Sequence, residues 1–150
     1  MTIVPSTLLY RERVLPSMMF FIVMLTLPIS LFLVALPFSE VASIVLAITS
    51  IPVVLVLSWI ASPKIELTQG QFTVGNVRID KSLLGRAEVI TSSNTFQERG
   101  VLLDSRAFTR FQIGIKELVK IAINDEVDPT PYWLISSRNA EVLAGLINKR

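Results

Sequence analysis

Two stretches decide how this chain must be read: Val14–Ser39, VLPSMMFFIVMLTLPISLFLVALPFS, and Val41–Pro63, VASIVLAITSIPVVLVLSWIASP. Neither contains a charged residue, and Glu40 alone separates them. A helix needs about 20 apolar residues to cross the hydrocarbon core of a bilayer, so each stretch is long enough. Pro37, Phe38, Ser39 and Glu40 are all that remains to turn the chain between them. The pattern predicts a tight transmembrane hairpin with helices over about residues 15–36 and 41–61. A cleaved signal peptide is a poor fit, because its apolar region would be about 7–15 residues and a mature domain would follow.

The charges divide the chain in the same way. Twelve of the 14 Lys and Arg residues lie at or after Lys64, against ten of the 12 Asp and Glu. That balance lacks the dense basic face nucleic acid requires. Cysteine and histidine are both absent, so disulfides, thiolate nucleophiles, histidine general bases and the common zinc ligand sets are excluded. Nothing in the sequence calls for a cofactor or a metal. Arg11 and Arg13 precede the first helix, Lys64 follows the second, and the connecting turn has no basic residue. The positive-inside rule then predicts both termini in the cytoplasm. Tyr10 and Trp59 fall near that interface.

Within the hairpin, Pro28 and Pro52 are expected to kink their helices. Thr26, Ser30, Thr49 and Ser50 stand close enough to satisfy the backbone groups this frees. Ser43, Ala47 and Ser50 form a stripe of small residues that lets helices approach closely, within one chain or in a homo-oligomer.

After Pro63 the apolar period shortens to two. Ile65–Thr68, Phe72–Val74, Val77–Asp80 and Ala87–Thr91 read as strands with turns at Gln69-Gly70 and Gly75-Asn76. Residues 91–100 read as a loop, and 107–115 and 118–124 as further extended segments. A turn-rich stretch, 125–131, leads into a last strand beginning at Tyr132. Asn139 is placed to cap a closing helix over about 139–149, with Leu143, Leu146 and Ile147 on one face. The fold class is therefore membrane α+β: an N-terminal segment 1–13, a transmembrane hairpin 14–63, and a small β-rich domain 64–150 with a C-terminal helix. Six or seven strands closed by one helix have the outline of a pleckstrin-homology-like barrel.

Four groups of residues are candidates for function. Asp125, Glu126 and Asp128 could bind a cation or share a proton, or simply form a solvated turn. Asp128, Pro129, Thr130, Pro131, Tyr132 and Trp133 form a stiffened segment whose aromatic pair could anchor a protein partner or lipid. Alternatively, Tyr132 and Trp133 point to opposite faces of a strand and serve packing. Arg11 and Arg13 could meet anionic headgroups or set topology, and Arg11 and Glu12 could instead dock the N-terminal segment on the β domain. Arg99, Arg106, Arg110, Lys116 and Lys120 are scattered surface charges unless the fold gathers some of them into an anionic-lipid pocket.

The strings Leu9-Tyr10-Arg11-Glu12-Arg13, Leu103-Asp104-Ser105-Arg106-Ala107-Phe108 and Asp128-Pro129-Thr130-Pro131-Tyr132-Trp133-Leu134-Ile135-Ser136-Ser137-Arg138 resemble an actinobacterial membrane family, domain-of-unknown-function family 3093. The resemblance runs over nearly the whole chain. It implies a bacterial plasma-membrane protein of this two-helix, β-domain architecture and brings no established activity. The expected role is a non-catalytic, membrane-tethered interaction or adaptor module whose partners are the bilayer and an unidentified protein. The alternatives are an enzyme acting on a lipid-linked substrate through the carboxylates of Asp125 and Asp128, joined by Tyr132 or Lys120, and a small transport-complex subunit.

Overall fold

The computed structural model describes residues 7–149, which form two compact units. One unit is the apolar stretch Leu15–Ser62. Its helices are α1 (Met18–Met24), α2 (Thr26–Ala35) and α3 (Glu40–Ala61). The first two form a single span, Met18–Ala35, and both it and Glu40–Ala61 are long and apolar enough to cross a membrane. The break at Leu25 has a local cause. Pro28 has no N–H to give the Met24 carbonyl, and its ring crowds that oxygen. Pro52 sits inside an unbroken α3, so only the first span is interrupted. The neighbouring hydroxyls do not take up the groups the prolines free. Thr26 donates to the Val23 carbonyl (2.7 Å), Ser30 to Thr26 (2.8 Å), Thr49 to Val45 (2.7 Å) and Ser50 to Ala47 (2.7 Å).

Helix α2 packs along α3, and the side chains that α3 buries are small. The buried residues of α3 are Ser43, Ser50 and Ser58, each donating its hydroxyl to a carbonyl of its own helix. The bulky side chains point the other way: Ile48, Leu57 and Ile60 are 63%, 60% and 69% exposed. Apolar groups outside and hydroxyls inside reverse the order of a water-soluble core. Ser39 caps α3, accepting the Ala42 N–H (3.3 Å), and Glu40 occupies the first turn, where negative charge suits the helix dipole.

The second unit joins residues up to Val14 with residues from Pro63 onward. It begins where no strand was expected. Leu8–Arg13 forms β1 and pairs antiparallel with β2 (Lys64–Thr68), Arg13 lying opposite Lys64. Strands β3 (Gln71–Val74) and β4 (Val77–Asp80) complete a sheet of order β1-β2-β3-β4. Gly75, in the two-residue turn between them, has φ +63°, the left-handed conformation that such a hairpin turn demands. A second sheet, of order β5-β7-β8-β6, contains β5 (Leu84–Ile90), β6 (Phe108–Arg110), β7 (Leu118–Ile123) and β8 (Tyr132–Ser136). Here β6 runs parallel to β8, and only three residues of the expected 107–115 segment are strand. The expected loop at 91–100 contains a short helix, α4 (Thr95–Arg99).

Alternation in the strands puts Ile65, Leu67, Phe72 and Val74 of the first sheet into one apolar core with Val119, Ile121, Trp133 and Ile135 of the second. Helix α5 (Ala140–Asn148) adds Leu143 and Ile147 to that core. Asn139 stands at its N-cap without a side-chain capping bond, and its N–H is instead held by Ser137 Oγ (3.1 Å). At the other end Asn148 behaves like a strand residue. Its side chain accepts the Ala87 N–H and donates to the Ala87 carbonyl, both at 2.9 Å, beside a break in the β5–β7 register.

Gly85 lies in that break. A Cβ there would stand 3.0 Å from the Ala122 Cβ and 3.1 Å from the Ala122 carbonyl oxygen. Gly85→Ala should therefore destabilise the domain by about 1–3 kcal/mol, the usual cost of overpacking. Gly145→Ala meets nothing within 4 Å and should not. Chemical denaturation of the full chain in detergent, followed by tryptophan fluorescence, compares the two.

Candidate functional site

The three distinctive strings of the sequence meet at β8 and its two ends. At the start of the strand, Tyr132 is half-buried on the outer face. Its phenolic oxygen accepts the Asp104 N–H (2.8 Å) and donates to the Leu102 carbonyl (3.4 Å). The Lys120 ammonium sits 4.5 Å from the centre of its ring and pairs with Glu98 at 2.9 Å. Asp104 forms a compact local lock. It accepts the Arg106 N–H (2.8 Å) on one oxygen and the Arg106 guanidinium (2.9 Å) on the other. These bonds from Arg106 pull the Asp104 carboxyl down to about 2.

The next residue, Trp133, turns inward and is 4% exposed. Its ring lies 4.5 Å from that of Phe108 and 5.8 Å from that of Phe72, tying β6, β8 and the first sheet together. Of the two roles the sequence leaves open for Trp133, this is the packing one. It is unavailable as a surface anchor.

Ahead of the strand, Asp125 Oδ1 accepts the Val127 N–H and Asp128 Oδ1 accepts the Thr130 N–H, each at 2.9 Å. Two side-chain-to-backbone turns in succession, with Pro129 and Pro131, give the loop a defined shape. The bond from Thr130 lowers the pKa of Asp128. Asp128 and Pro129 are exposed, and Val127 at the loop tip is 91% exposed. Asp125 and Asp128 thus form turns, and among the described residues no group of three or more His, Cys, Asp or Glu is arranged to hold a metal ion.

The far end of β8 holds the N-terminal strand. Glu12 Oε2 accepts the hydroxyls of Tyr10 and Ser137, both at 2.6 Å, while Oε1 accepts the Arg138 N–H at 2.8 Å. Burial and the adjacent Glu12 carboxylate push Tyr10 up to about 12. Arg11 reaches across to Glu66 (3.3 Å), its register partner on β2. Arg13 closes the strand, one residue before the chain leaves for α1. Glu12, offered by the sequence beside Arg11 as a docking residue, is the one that locks this end.

The five scattered cations are not gathered into one pocket. Lys120 and Arg106 are taken by Glu98 and Asp104. Arg99 donates to the Ile115 carbonyl (2.8 Å) and Ser136 Oγ (3.2 Å) and lies over the Phe111 ring. Arg110 and Lys116 are exposed.

The arrangement defines a class: a β domain with an apolar helical hairpin inserted between its first two strands, in which most of the distinctive polar residues hold the fold together. The chain belongs to the family described as "Protein of unknown function (DUF3093)", whose model matches residues 9–147. No curated protein and no solved structure matches it.

The Glu12 cluster makes two stability predictions. Glu12→Gln puts an N–H₂ group among three donors and should cost about 1.5–3 kcal/mol, as expected for hydrogen bonds to a charged group. Tyr10 is protonated more readily in the folded than in the unfolded chain. Its stabilising contribution is thus complete below pH ~10, its ordinary range, and is lost as pH rises towards about 12. Denaturation midpoints between pH 9 and 12 should fall more steeply for the wild type than for Tyr10→Phe.

Proposed function

We propose that this chain is a bacterial plasma-membrane protein whose two spans cross the bilayer as a hairpin. Both termini face the cytoplasm, and the β domain is a non-catalytic interaction module of pleckstrin-homology-like design. The observation that carries the membrane reading is the reversed hairpin, with serine hydroxyls buried and bulky apolar groups outside. In water the exposed groups would forfeit about 25 cal/mol for each Å² left unburied, whereas in hydrocarbon they are solvated. The pairing of β1 with β2 favours one side of the membrane for both flanks, since one sheet contains them. Arg11, Arg13 and Lys64 make that side cytoplasmic by the positive-inside rule.

The pleckstrin-homology-like description is supported by a four-stranded meander, a second meander β5-β7-β8 and a closing helix, with α4 and β6 as an insertion. A non-catalytic role is favoured because the groups an enzyme would use are engaged in structure: Lys120 with Glu98, Tyr132 with Asp104, and Asp125 and Asp128 with their own turns. The loop 125–130 is the preferred contact for a protein partner. It presents Val127 and Pro129 in a preorganised frame, which lowers the ordering cost of binding.

The natural absence of cysteine makes topology directly measurable. Ser39→Cys should react with a membrane-impermeant maleimide in intact cells, and Asn76→Cys only after permeabilisation. The opposite pattern overturns the orientation, and release of the chain by alkaline carbonate overturns membrane insertion. For the adaptor role, a photo-crosslinking residue at Val127 should give one recurrent protein adduct. Excess unlabelled wild-type chain should compete it away, and a Val127→Asp, Pro129→Gly chain should not. No such adduct, or equal competition by both chains, overturns this loop as the docking site.

A further inference from the structure

We infer that the β domain makes a second, peripheral contact with the bilayer through an apolar and basic face built from α4 and the loop after β6. The inference rests on the membrane reading above. Phe96 on α4 is 86% exposed, and Ile113 is 63% exposed. Ile113 directly precedes the Gly114–Lys116 segment that lines a cleft with Phe96. Phe96, Arg99, Gly114, Ile115 and Lys116 line a common open cleft, and the Arg99 guanidinium lies 4.8 Å from the centre of the Phe111 ring. The face is held firmly: Thr95 and Arg99 of α4 bond the carbonyls of Lys116 and Ile115. Rigidly displayed aromatic and aliphatic groups of this kind mark an interaction surface rather than a fraying loop.

Position and charge favour lipid as the occupant. The Gln112 N–H is held by Ser136 Oγ (3.0 Å), and the next residue, Ser137, is held by Glu12. Glu12 lies two residues from Val14, whose N–H bonds the Pro63 carbonyl (3.0 Å). This series of contacts puts the Phe111–Ile113 loop at the end of the domain where the chain leaves for the hairpin and returns from it. Four residues separate β1 from α1, and two separate α3 from β2. At about 3.5 Å per residue, such connections cannot carry that end far from the membrane surface. The charge has the matching sign. Residues 95–116 contain four cations and two carboxylates, and both carboxylates, Glu98 and Asp104, are in ion pairs. Arg110 and Lys116 flank the apolar residues, as suits an anionic leaflet.

The test uses full-length chain with a single cysteine at Ile113, Phe96 or Val127, labelled with an environment-sensitive fluorophore. Each is reconstituted in nanodiscs of phosphatidylglycerol and phosphatidylethanolamine at one chain per disc. Val127 is the control, because its loop precedes Tyr132 whereas Ser136 ends the same strand. Probes at positions 113 and 96 should emit to the blue of the one at position 127, and headgroup-proximal spin-labelled lipid should quench them at least about twofold more. Arg110→Glu with Lys116→Glu, or discs of phosphatidylcholine alone, should bring that quenching down towards the level at position 127. Probes at 113 and 96 as water-exposed as at 127, in chain that remains disc-bound, overturn the second contact while sparing the hairpin. Blue-shifted emission that spin-labelled lipid does not quench also overturns it, in favour of a protein covering the face. Chain that fails to enter discs at all overturns the membrane reading from which the inference starts.

Discussion

The pairing of β1 with β2 is the constraint on which the rest of this structure depends. Arg13 stands opposite Lys64, and the Val14 N–H closes on the Pro63 carbonyl. Between these adjacent strands lies the whole apolar stretch. The hairpin is therefore an insertion into a β-hairpin connection, and the domain encloses it in sequence on both sides. From β1 follow the first sheet's outer strand, the Arg11–Glu66 pair, and the Glu12 carboxylate that reaches Ser137 and Arg138 beyond β8. One short segment thus ties the first sheet to the junction between β8 and the closing helix.

That segment also reveals where sequence reading reached its limit. The alternation Ile65-Glu66-Leu67-Thr68 and the Gly75-Asn76 turn were legible because a strand with one buried face writes its period into its own residues. Leu8–Arg13 carries no such period. It lies at a sheet edge, its residues are exposed or half-buried, and only its partner strand, some fifty residues later, makes it a strand. The hydrogen bonds of Glu12 to Ser137 and Arg138 are tertiary facts. The basic residues within it invite a topological explanation, which leaves its pairing with β2 unmentioned.

A similar lesson attaches to β8. The Pro-Thr-Pro-Tyr-Trp string is distinctive, and distinctive strings attract functional readings. Here Trp133 joins Phe72 and Phe108 in the core, Tyr132 receives the Asp104 N–H, and Asp128 stiffens the preceding turn. The aromatic pair's opposite orientations follow from strand geometry and could be read in advance. Which face would be covered could not, because β6 approaches from a non-adjacent part of the chain and runs parallel. Conversely, Phe96 and Ile113 lie in stretches without periodicity, where nothing local distinguishes an apolar residue bound for the core from one left on the surface.

The inserted hairpin has a consequence for biogenesis. When β1 leaves the ribosome its partner has not been made, so the edge of the sheet must wait through the synthesis of both spans. In a free coil, closing a connection of that length would carry an entropic penalty growing as (3/2)RT ln n, a few kcal/mol for about 50 residues. Helices that run out and back with a short turn return the two flanks to one place before pairing begins. On the proposed membrane reading, integration would perform the loop closure, and a chain with only one span inserted would leave its first strand on the wrong side of the lipid. Such a molecule would expose an unpaired sheet edge, which gives proteolytic surveillance a means of recognising it.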